Sequence, residues 1–182
     1  MISFEFKNKA FELYEKFILG AKTKYRNNHV NHINNINSIY FELSNICNYS
    51  AIHTKCPASI IKNKSVMDSN VYKNVISDLS KIDFEGFISF HRYNEPLMDP
   101  RLISFISYAR HKIPKSKLRI LTNGYYLTQE IADELVASGL SLLEVTAYFE
   151  HEFQRLKNIK ITIPYHVFMQ NLDGRIDVTP CN

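Results

Sequence analysis

The chain has 182 residues, of which 45% are hydrophobic and 22% are charged. This composition is ordinary for a folded domain with a sizeable core, and it excludes an intrinsically disordered chain. The net charge of +4 is small and spread along the sequence, which argues against a nucleic-acid-binding protein.

The first predicted element is an amphipathic helix within Phe4–Tyr25, where apolar residues recur among charges. A connector rich in Asn and His, Asn27–Asn37, follows it. We therefore expect residues 1–37 to form an N-terminal helical extension ahead of the main fold.

From Ile39 onward, short β-type runs alternate with longer helix-type runs. The predicted strands are Ile39–Leu43, Gly86–His91, Lys117–Thr122, Leu142–Ala147 and Lys160–Phe168. The predicted helices are Asp68–Lys81, Pro100–His111 and Thr128–Ser138. This alternation indicates βαβ units and a parallel sheet or barrel, so the fold class is α/β and the main fold spans residues 38–182.

Local chemistry accounts for several of these helix boundaries. Asp68 or Ser69 can cap the first helix, and Pro100 stands where a first-turn proline is tolerated. Thr128 opens the third helix and Gly139 closes it. The boundaries therefore depend on capping residues as well as on periodicity.

In parallel α/β folds, functional residues collect at the carboxyl ends of the strands. Four predicted strands run there into polar segments, which are the loop 47–56, HRYNEPLMDP, LTNG and TAYFEHE. The sequence therefore predicts one site at this edge of the sheet.

The chain has three cysteines, Cys47, Cys56 and Cys181, and an odd number argues against a disulfide framework. Glu5 and Lys7 lie where a signal peptide would be apolar, and no apolar run approaches membrane length. We therefore expect a cytoplasmic protein without a membrane partner. In a reducing compartment, clustered thiols are more often metal ligands or catalytic groups than members of disulfide bridges.

The loop between Cys47 and Cys56 has the pattern Cys-x5-His-x2-Cys, with His53 as its histidine. Two thiolates and an imidazole in one loop can reach a single soft metal centre, either an iron–sulfur cluster or zinc. The alternative is a pair of buried, inert thiols beside a surface histidine.

Two further loops carry residues with special properties. In YNEPLMDP, a proline-stiffened turn places Glu95 beyond a strand end, where its carboxylate can accept hydrogen bonds from an ammonium group. In LTNGYYLT, the pair Asn123 and Gly124 supplies a turn with positive φ that lets the backbone approach a ligand. Each loop on its own is more often an ordinary turn.

Taken in order, strand, cysteine loop, strand, Asn-Glu-Pro, strand and Thr-Asn-Gly resemble the radical S-adenosylmethionine (radical SAM) superfamily over Ile39–Tyr148. The resemblance implies a partial (β/α) barrel of about five to six βα units. Because the sequence predicts five strands, we expect either a compact barrel, a fragment truncated at its C-terminal end, or one completed by a partner chain.

The resemblance implies a four-iron (4Fe-4S) cluster in the loop after the first strand, with Cys47 and Cys56 as the first and last ligands. His53 stands in place of the middle cysteine. Three alternatives follow: His53 is the third ligand, the third ligand comes from elsewhere with Cys181 as the remaining thiol, or the cluster has been lost.

The resemblance also implies residues that bind S-adenosylmethionine. Glu95 matches the acceptor of the cofactor's methionine ammonium group. The other implied cofactor residues come from the ends of the second, third and fourth strands and are Tyr93, Asn94, Asn123, Gly124, Thr146 and Tyr148.

The function implied by the resemblance is reductive cleavage of S-adenosylmethionine followed by hydrogen abstraction from a peptide, a carbohydrate or a small natural product. We expect a radical SAM oxidoreductase or maturase-type enzyme that takes its electron from an external donor, with no catalytic side chain assigned. Two alternatives remain: a degenerate, non-catalytic binding or partner protein, and a small zinc-binding α/β protein.

Overall fold

The computed structural model describes residues 36–53, 56–170 and 176–177, and these form one sheet with the strands in sequence order. The strands are β1 Ser38–Tyr40, β2 Phe87–Ser89, β3 Lys117–Thr122, β4 Leu142–Ala147, β5 Tyr165–Gln170 and β6 Ile176–Asp177. Strands β1 to β5 are parallel neighbours, and β6 pairs antiparallel with β5. The predicted α/β fold with a parallel sheet is confirmed.

Four helices connect the strands within the described ranges: α1 Ser69–Ser80, α2 Leu102–Lys112, α3 Gln129–Ala137 and α4 Glu150–Lys157. The first three were predicted and α4 was not. Phe153 and Leu156 are the apolar residues of this helix and the other six are polar or charged, so the segment lacks a clear apolar periodicity. The sequence signal that remained was charge order, with acidic residues in the first turn and basic residues in the last, which complements the helix dipole.

The predicted capping residues act as expected at three boundaries. The Asp68 carboxylate accepts a hydrogen bond from the Asn70 N–H at 2.6 Å, and the Thr128 hydroxyl accepts one from the Ile131 N–H at 3.3 Å. Gly139 has φ +92°, the left-handed conformation that ends α3. Helix α2 begins two residues after Pro100 rather than at the proline.

Three strands differ from their predicted bounds. Strand β2 spans Phe87–Ser89 rather than Gly86–His91, and the other two differ for local reasons. Strand β1 ends at Tyr40, because the chain then turns to pair with a later segment, where the Met67 N–H donates to the Leu43 carbonyl at 2.8 Å. Strand β5 starts at Tyr165 rather than Lys160, since Pro164 has no N–H to donate to the ladder.

The sheet buries one face and leaves the other polar. On β3, Leu118, Ile120 and Thr122 are buried, whereas the alternating Arg119 and Leu121 are only partly so. The buried face forms the hydrophobic core with the helices. The opposite face is available for polar chemistry below the carboxyl ends of the strands.

Several predictions fall outside the described residues. The helix within Phe4–Tyr25 and most of the connector lie there, as does Cys181, so the division at residue 37 stays a prediction. Within the part of the chain that the structure describes, no helix combines the length and apolarity needed to cross a membrane.

Candidate cofactor-binding site

A cleft lies where the loops after β1, β2, β3 and β4 meet. Nine of the ten predicted site residues line it: Cys47, His53, Cys56, Tyr93, Asn94, Glu95, Asn123, Thr146 and Tyr148. Residues more than 100 positions apart in sequence therefore share one cleft, as the carboxyl ends of neighbouring parallel strands must.

Gly124 is the predicted site residue that does not line the cleft. Its φ is +74°, and a Cβ added to it would lie 2.6 Å from Val145 Cγ1 and 2.9 Å from the Leu156 methyl groups. The glycine is therefore required by the turn and by close packing against β4 and α4, behind the cleft.

The cysteine loop is built from consecutive backbone turns. The His53 N–H donates to the Tyr49 carbonyl at 2.8 Å, and the Cys56 N–H donates to the His53 carbonyl at 2.9 Å. The His53 ring lies 5.1 Å from the Tyr148 ring, between centroids. These turns place both thiols and the imidazole on the cleft side of the loop.

Glu95 joins three loops through a buried carboxylate. The residue is 2% exposed, its Oε1 accepts hydrogen bonds from the Leu97 N–H and the Thr122 hydroxyl, and its Oε2 accepts one from the Asn123 N–H at 2.8 Å. The Glu95 N–H donates to the Ile46 carbonyl of the cysteine loop, also at 2.8 Å. Glu95 thus fixes the loops after β1, β2 and β3 relative to one another.

The ionisation of Glu95 reflects two opposing effects. Burial raises the pKa of the carboxyl, while the hydrogen bonds from Thr122, the Asn123 N–H and the Leu97 N–H offset part of that rise. Three donors leave acceptor capacity mainly on Oε2, so a cofactor ammonium group would meet a carboxylate already held in place.

Asn123 connects the loop after β3 to the first thiol. Its side-chain amide donates to Asn48 Oδ1 at 2.7 Å and lies 4.0 Å from Cys47 Sγ, and its Oδ1 accepts from the Tyr125 N–H at 3.0 Å. The amide is therefore aimed at the cysteine loop, in a position to stabilise a thiolate at Cys47.

The surroundings of Cys47 favour the protonated thiol in the absence of a metal. Burial raises the pKa of Cys47, and the charges of Glu95 and Cys56 raise it further. Hydrogen bonds from the Tyr49 N–H and the Asn123 amide lower the pKa and offset part of this rise. Burial also raises the pKa of Tyr148 to about 12, with both cysteines and Glu95 contributing. Both thiols line the same cleft as Tyr148, and metal binding at Cys47 would release a proton.

The donor set fits an iron–sulfur cluster in its chemistry, because two thiols and one imidazole are the ligand types such clusters take. Within the described ranges, no three His, Cys, Asp or Glu side chains are grouped closely enough to hold a single metal ion. That Cys47, His53 and Cys56 are the cluster ligands therefore stays a prediction.

Replacing His53 separates the explanations for its place in the loop. If His53 is a ligand, we expect His53→Ala to lower iron bound after anaerobic reconstitution by about half or more, and His53→Cys to restore it, since thiolate is the stronger iron ligand. The measurement is iron and acid-labile sulfide per chain, with Cys181→Ala as the matched variant for the remaining thiol. Equal iron in both His53 variants and wild type would contradict ligation.

His91 lines the cleft as an uncharged hydrogen-bonding group. Its Nδ1 accepts a hydrogen bond from the Leu121 N–H at 3.0 Å, so the neutral ring carries its proton on Nε2. Burial lowers the pKa of His91 to about 4, and the charges of Arg119 and Arg92 add to the effect. The ring is therefore a donor to the cleft at neutral pH.

The predicted site did not include six lining residues, which are Tyr49, Ser50, His91, Arg92, Leu121 and Thr122. Thr122 belongs to the Thr-Asn-Gly segment, so its place beside Asn123 was a usable signal. Glu42 was also missed: it lies two residues after β1, and its carboxylate accepts a hydrogen bond from the Tyr93 N–H at 2.8 Å and supports the YNEP turn. No local pattern marks that contact, because the two residues are 51 positions apart.

Comparison with known proteins places this site in context. No protein-family model matches the chain. The chain is 35% identical over 120 residues to the S-adenosyl-L-methionine-dependent 2-deoxy-scyllo-inosamine dehydrogenase of Niallia circulans. The matched segment covers 64% of this chain and 47% of that protein. The chain thus spans about half the length of the curated relative it matches.

Solved structures agree with that match. A crystal structure of BtrN in complex with AdoMet and 2-DOIA has a TM-score of 0.59 at 24% identity, covering 78% of this chain and 72% of that one. SeMet BtrN in an open conformation gives a TM-score of 0.58 at 26% identity, covering 78% and 68%. The partial-barrel α/β fold is confirmed, and the chain is homologous to this S-adenosyl-L-methionine-dependent dehydrogenase.

Proposed function

We propose, on the premise that the chain is a radical SAM protein homologous to an S-adenosyl-L-methionine-dependent dehydrogenase, that it oxidises an alcohol of a small polyhydroxylated substrate. It would do so with a 4Fe-4S cluster and S-adenosylmethionine, in a reducing cytoplasm and with an external electron donor. One observation carries the proposal: Glu95 joins the cysteine loop, the YNEP turn and the Thr-Asn-Gly turn around one cleft.

Among the candidate substrates, the homology favours a carbohydrate-like molecule over a peptide. The relative is named for 2-deoxy-scyllo-inosamine, which is a ring compound bearing hydroxyl groups. The cleft suits such a molecule, because His91, Asn94 and Thr146 supply polar groups beside the aromatic rings of Tyr93 and Tyr148.

Each group of this chain has a defined task in the proposed reaction. Cys47 and Cys56, with His53 as the candidate third ligand, would hold the cluster. When bound, the cluster and S-adenosylmethionine would supply the one-electron chemistry that removes a hydrogen atom from the substrate. Glu95 would receive the cofactor ammonium group, and Asn123 would hold Cys47 in place.

The overall oxidation also fixes what else the reaction needs. Converting a secondary alcohol to a ketone removes one hydrogen atom, then one further electron and one proton. A one-electron acceptor must take that electron, and solvent takes the proton. The neutral His91 ring, with its proton on Nε2, would donate a hydrogen bond to a substrate oxygen.

The test is a turnover assay on anaerobically reconstituted protein with S-adenosylmethionine and dithionite. We expect 5′-deoxyadenosine and, with 2-deoxy-scyllo-inosamine or related polyols, a product lighter by two hydrogens. Cys47→Ala should abolish both products, because it removes a thiol ligand. A loaded cluster that yields no 5′-deoxyadenosine would contradict the proposal, and stoichiometric zinc without iron would favour the zinc-binding alternative.

A further inference from the structure

A cationic cluster lies on the polar face of the sheet, below the cleft. Arg119 of β3 and Arg92 after β2 both lie against the ring of Tyr40, with guanidinium carbons 5.6 and 5.7 Å from its centroid. Neighbouring strands align Tyr40 of β1 with Ser89 of β2, and Ser89 with Arg119 of β3. Arg119 lies three positions before Thr122, the last residue of β3. We call Tyr40, Ser89, Arg92 and Arg119 the Tyr40 cluster.

Arg119 is held in one orientation. Its Nε donates to Ser89 Oγ at 2.7 Å, and one Nη2 hydrogen donates to the Tyr40 hydroxyl at 2.6 Å. Its guanidinium carbon lies 5.0 Å from the centre of the Phe87 ring. Such contacts restrict the guanidinium without neutralising it, and they leave Nη1 and part of Nη2 as donors for a ligand.

Within the described residues, neither arginine of the cluster has a carboxylate at ion-pair distance; the ion pairs there are Lys81–Asp78, Arg101–Asp99 and Lys115–Glu85. Arg92 also lies over the Tyr93 ring at 5.9 Å, which directs it toward the cleft that it lines. Two guanidinium groups therefore share one aromatic ring, and within the part of the chain that the structure describes neither forms an ion pair, although Glu42 lies close enough to Arg92 to interact with its charge.

The carboxylates near the cluster balance its charge only in part. Burial raises the pKa of the Glu42 carboxyl, and the charge of Arg92 offsets part of that rise, so Glu42 lies near one of the two arginines. Glu42 accepts the Tyr93 N–H, and Glu144 of β4 is in register with Leu121, two positions nearer the cleft than Arg119. His91 lies against the Tyr40 ring at 5.6 Å and stays uncharged, because burial and both arginines lower its pKa to about 4. Positive charge is thus in excess around Tyr40.

We propose that the Tyr40 cluster binds an anionic group of the substrate, a carboxylate or a phosphate monoester. The planar fork of Arg119 matches two oxygens of either anion, and Arg92 adds a second charge at the cleft. This inference deepens the proposed function and rests on it. It also predicts that an anionic polyol binds more tightly than the aminopolyol for which the relative is named, since two guanidinium groups attract an anion and repel an ammonium group.

Calorimetric titration of the anaerobically reconstituted full chain, saturated with S-adenosylmethionine, tests the inference with glucose, glucuronate and glucose 6-phosphate. These probes share a polyol ring and differ in charge. We expect one or both anionic probes to bind about tenfold to a hundredfold more tightly than glucose, the range of charge-assisted hydrogen bonds. The stronger of the two identifies carboxylate or phosphate as the preferred group.

Variants separate this site from general charge attraction. Arg119→Gln should remove the preference for the anionic probe, and Arg119→Lys should retain only part of it because the fork is lost. Lys81→Gln makes the same change in net charge just after α1, outside the cluster, and should leave the preference intact. Should Arg119→Gln fail to fold in a thermal melt, Arg92→Gln, at an exposed residue, is expected to reduce the preference severalfold.

Two results would overturn the inference. One is equal binding of neutral and anionic probes, or no anionic probe bound at millimolar concentration. The other is an anion preference that survives in the folded arginine variants. Formation of 5′-deoxyadenosine is measured on the same preparations: if it is intact without anion preference, this inference alone fails, and if it is absent despite anion preference, the proposed function alone fails.

Discussion

Glu95→Gln is expected to lower the free energy of unfolding by about 3 kcal/mol and to weaken S-adenosylmethionine binding by at least about a hundredfold. The wild-type carboxylate is 2% exposed and accepts hydrogen bonds from three donors. The amide of glutamine has the same shape but brings its own donor. Its NH2 group, a donor, must therefore face another donor, either the Asn123 N–H or the pair formed by the Leu97 N–H and the Thr122 hydroxyl, and at least one wild-type hydrogen bond is lost.

Thr122→Val is the matched control for that prediction. It keeps the side-chain shape but removes one of the three donors and also the acceptor of the Gly124 N–H at 3.0 Å, so we expect a loss of about 1 to 2 kcal/mol and unchanged charge at Glu95. Denaturant unfolding followed by circular dichroism gives both values, and calorimetry gives the affinity for S-adenosylmethionine. A Glu95→Gln protein as stable as wild type, with unchanged affinity, would show that Glu95 does not join the loops.

Tyr49→Phe is expected to destabilise the protein by about 2 to 3 kcal/mol and to lower iron loading. The Tyr49 hydroxyl donates a buried hydrogen bond to Glu152 Oε1, and Glu152 is 5% exposed. Within the described part of the chain, Glu152 Oε2 has no hydrogen-bond partner. Removing the hydroxyl would leave a buried carboxylate without its donor and release the cysteine loop from α4.

Glu152→Gln supplies the comparison, because it keeps an acceptor for Tyr49 and removes the buried charge. Its expected cost is below about 1 kcal/mol. The double variant Tyr49→Phe with Glu152→Gln should therefore be more stable than Tyr49→Phe alone, as measured by thermal or denaturant unfolding. Additive effects would contradict a coupled Tyr49 and Glu152 pair.

Local sequence signals predicted the parts of the fold that depend on neighbouring residues. Asp68, Thr128 and Gly139 mark helix ends because capping requires only residues within one turn. The parallel sheet followed from the alternation of short apolar runs with helices. The position of the cleft followed in turn, since the loops at one end of a parallel sheet meet wherever its strands are neighbours.

Contacts between distant residues could not be predicted in this way. The hydrogen bond from Tyr49 to Glu152 spans 103 positions, and that from Arg119 to Tyr40 spans 79. Each depends on strand register and on how a helix packs, which hydrophobic periodicity does not specify. Gly124 shows the same limit: its positive φ was predicted, but its packing behind the cleft required Val145 and Leu156.

The central claim is that the cysteine loop and the two motif loops form one site for a cluster and S-adenosylmethionine. Electron paramagnetic resonance of the reduced, reconstituted protein with and without S-adenosylmethionine tests it most directly. We predict the signal of a reduced 4Fe-4S cluster that changes when the cofactor is added, and a Glu95→Gln protein in which the change is lost. An iron-free protein, or a cluster signal unaffected by saturating S-adenosylmethionine, would contradict the account.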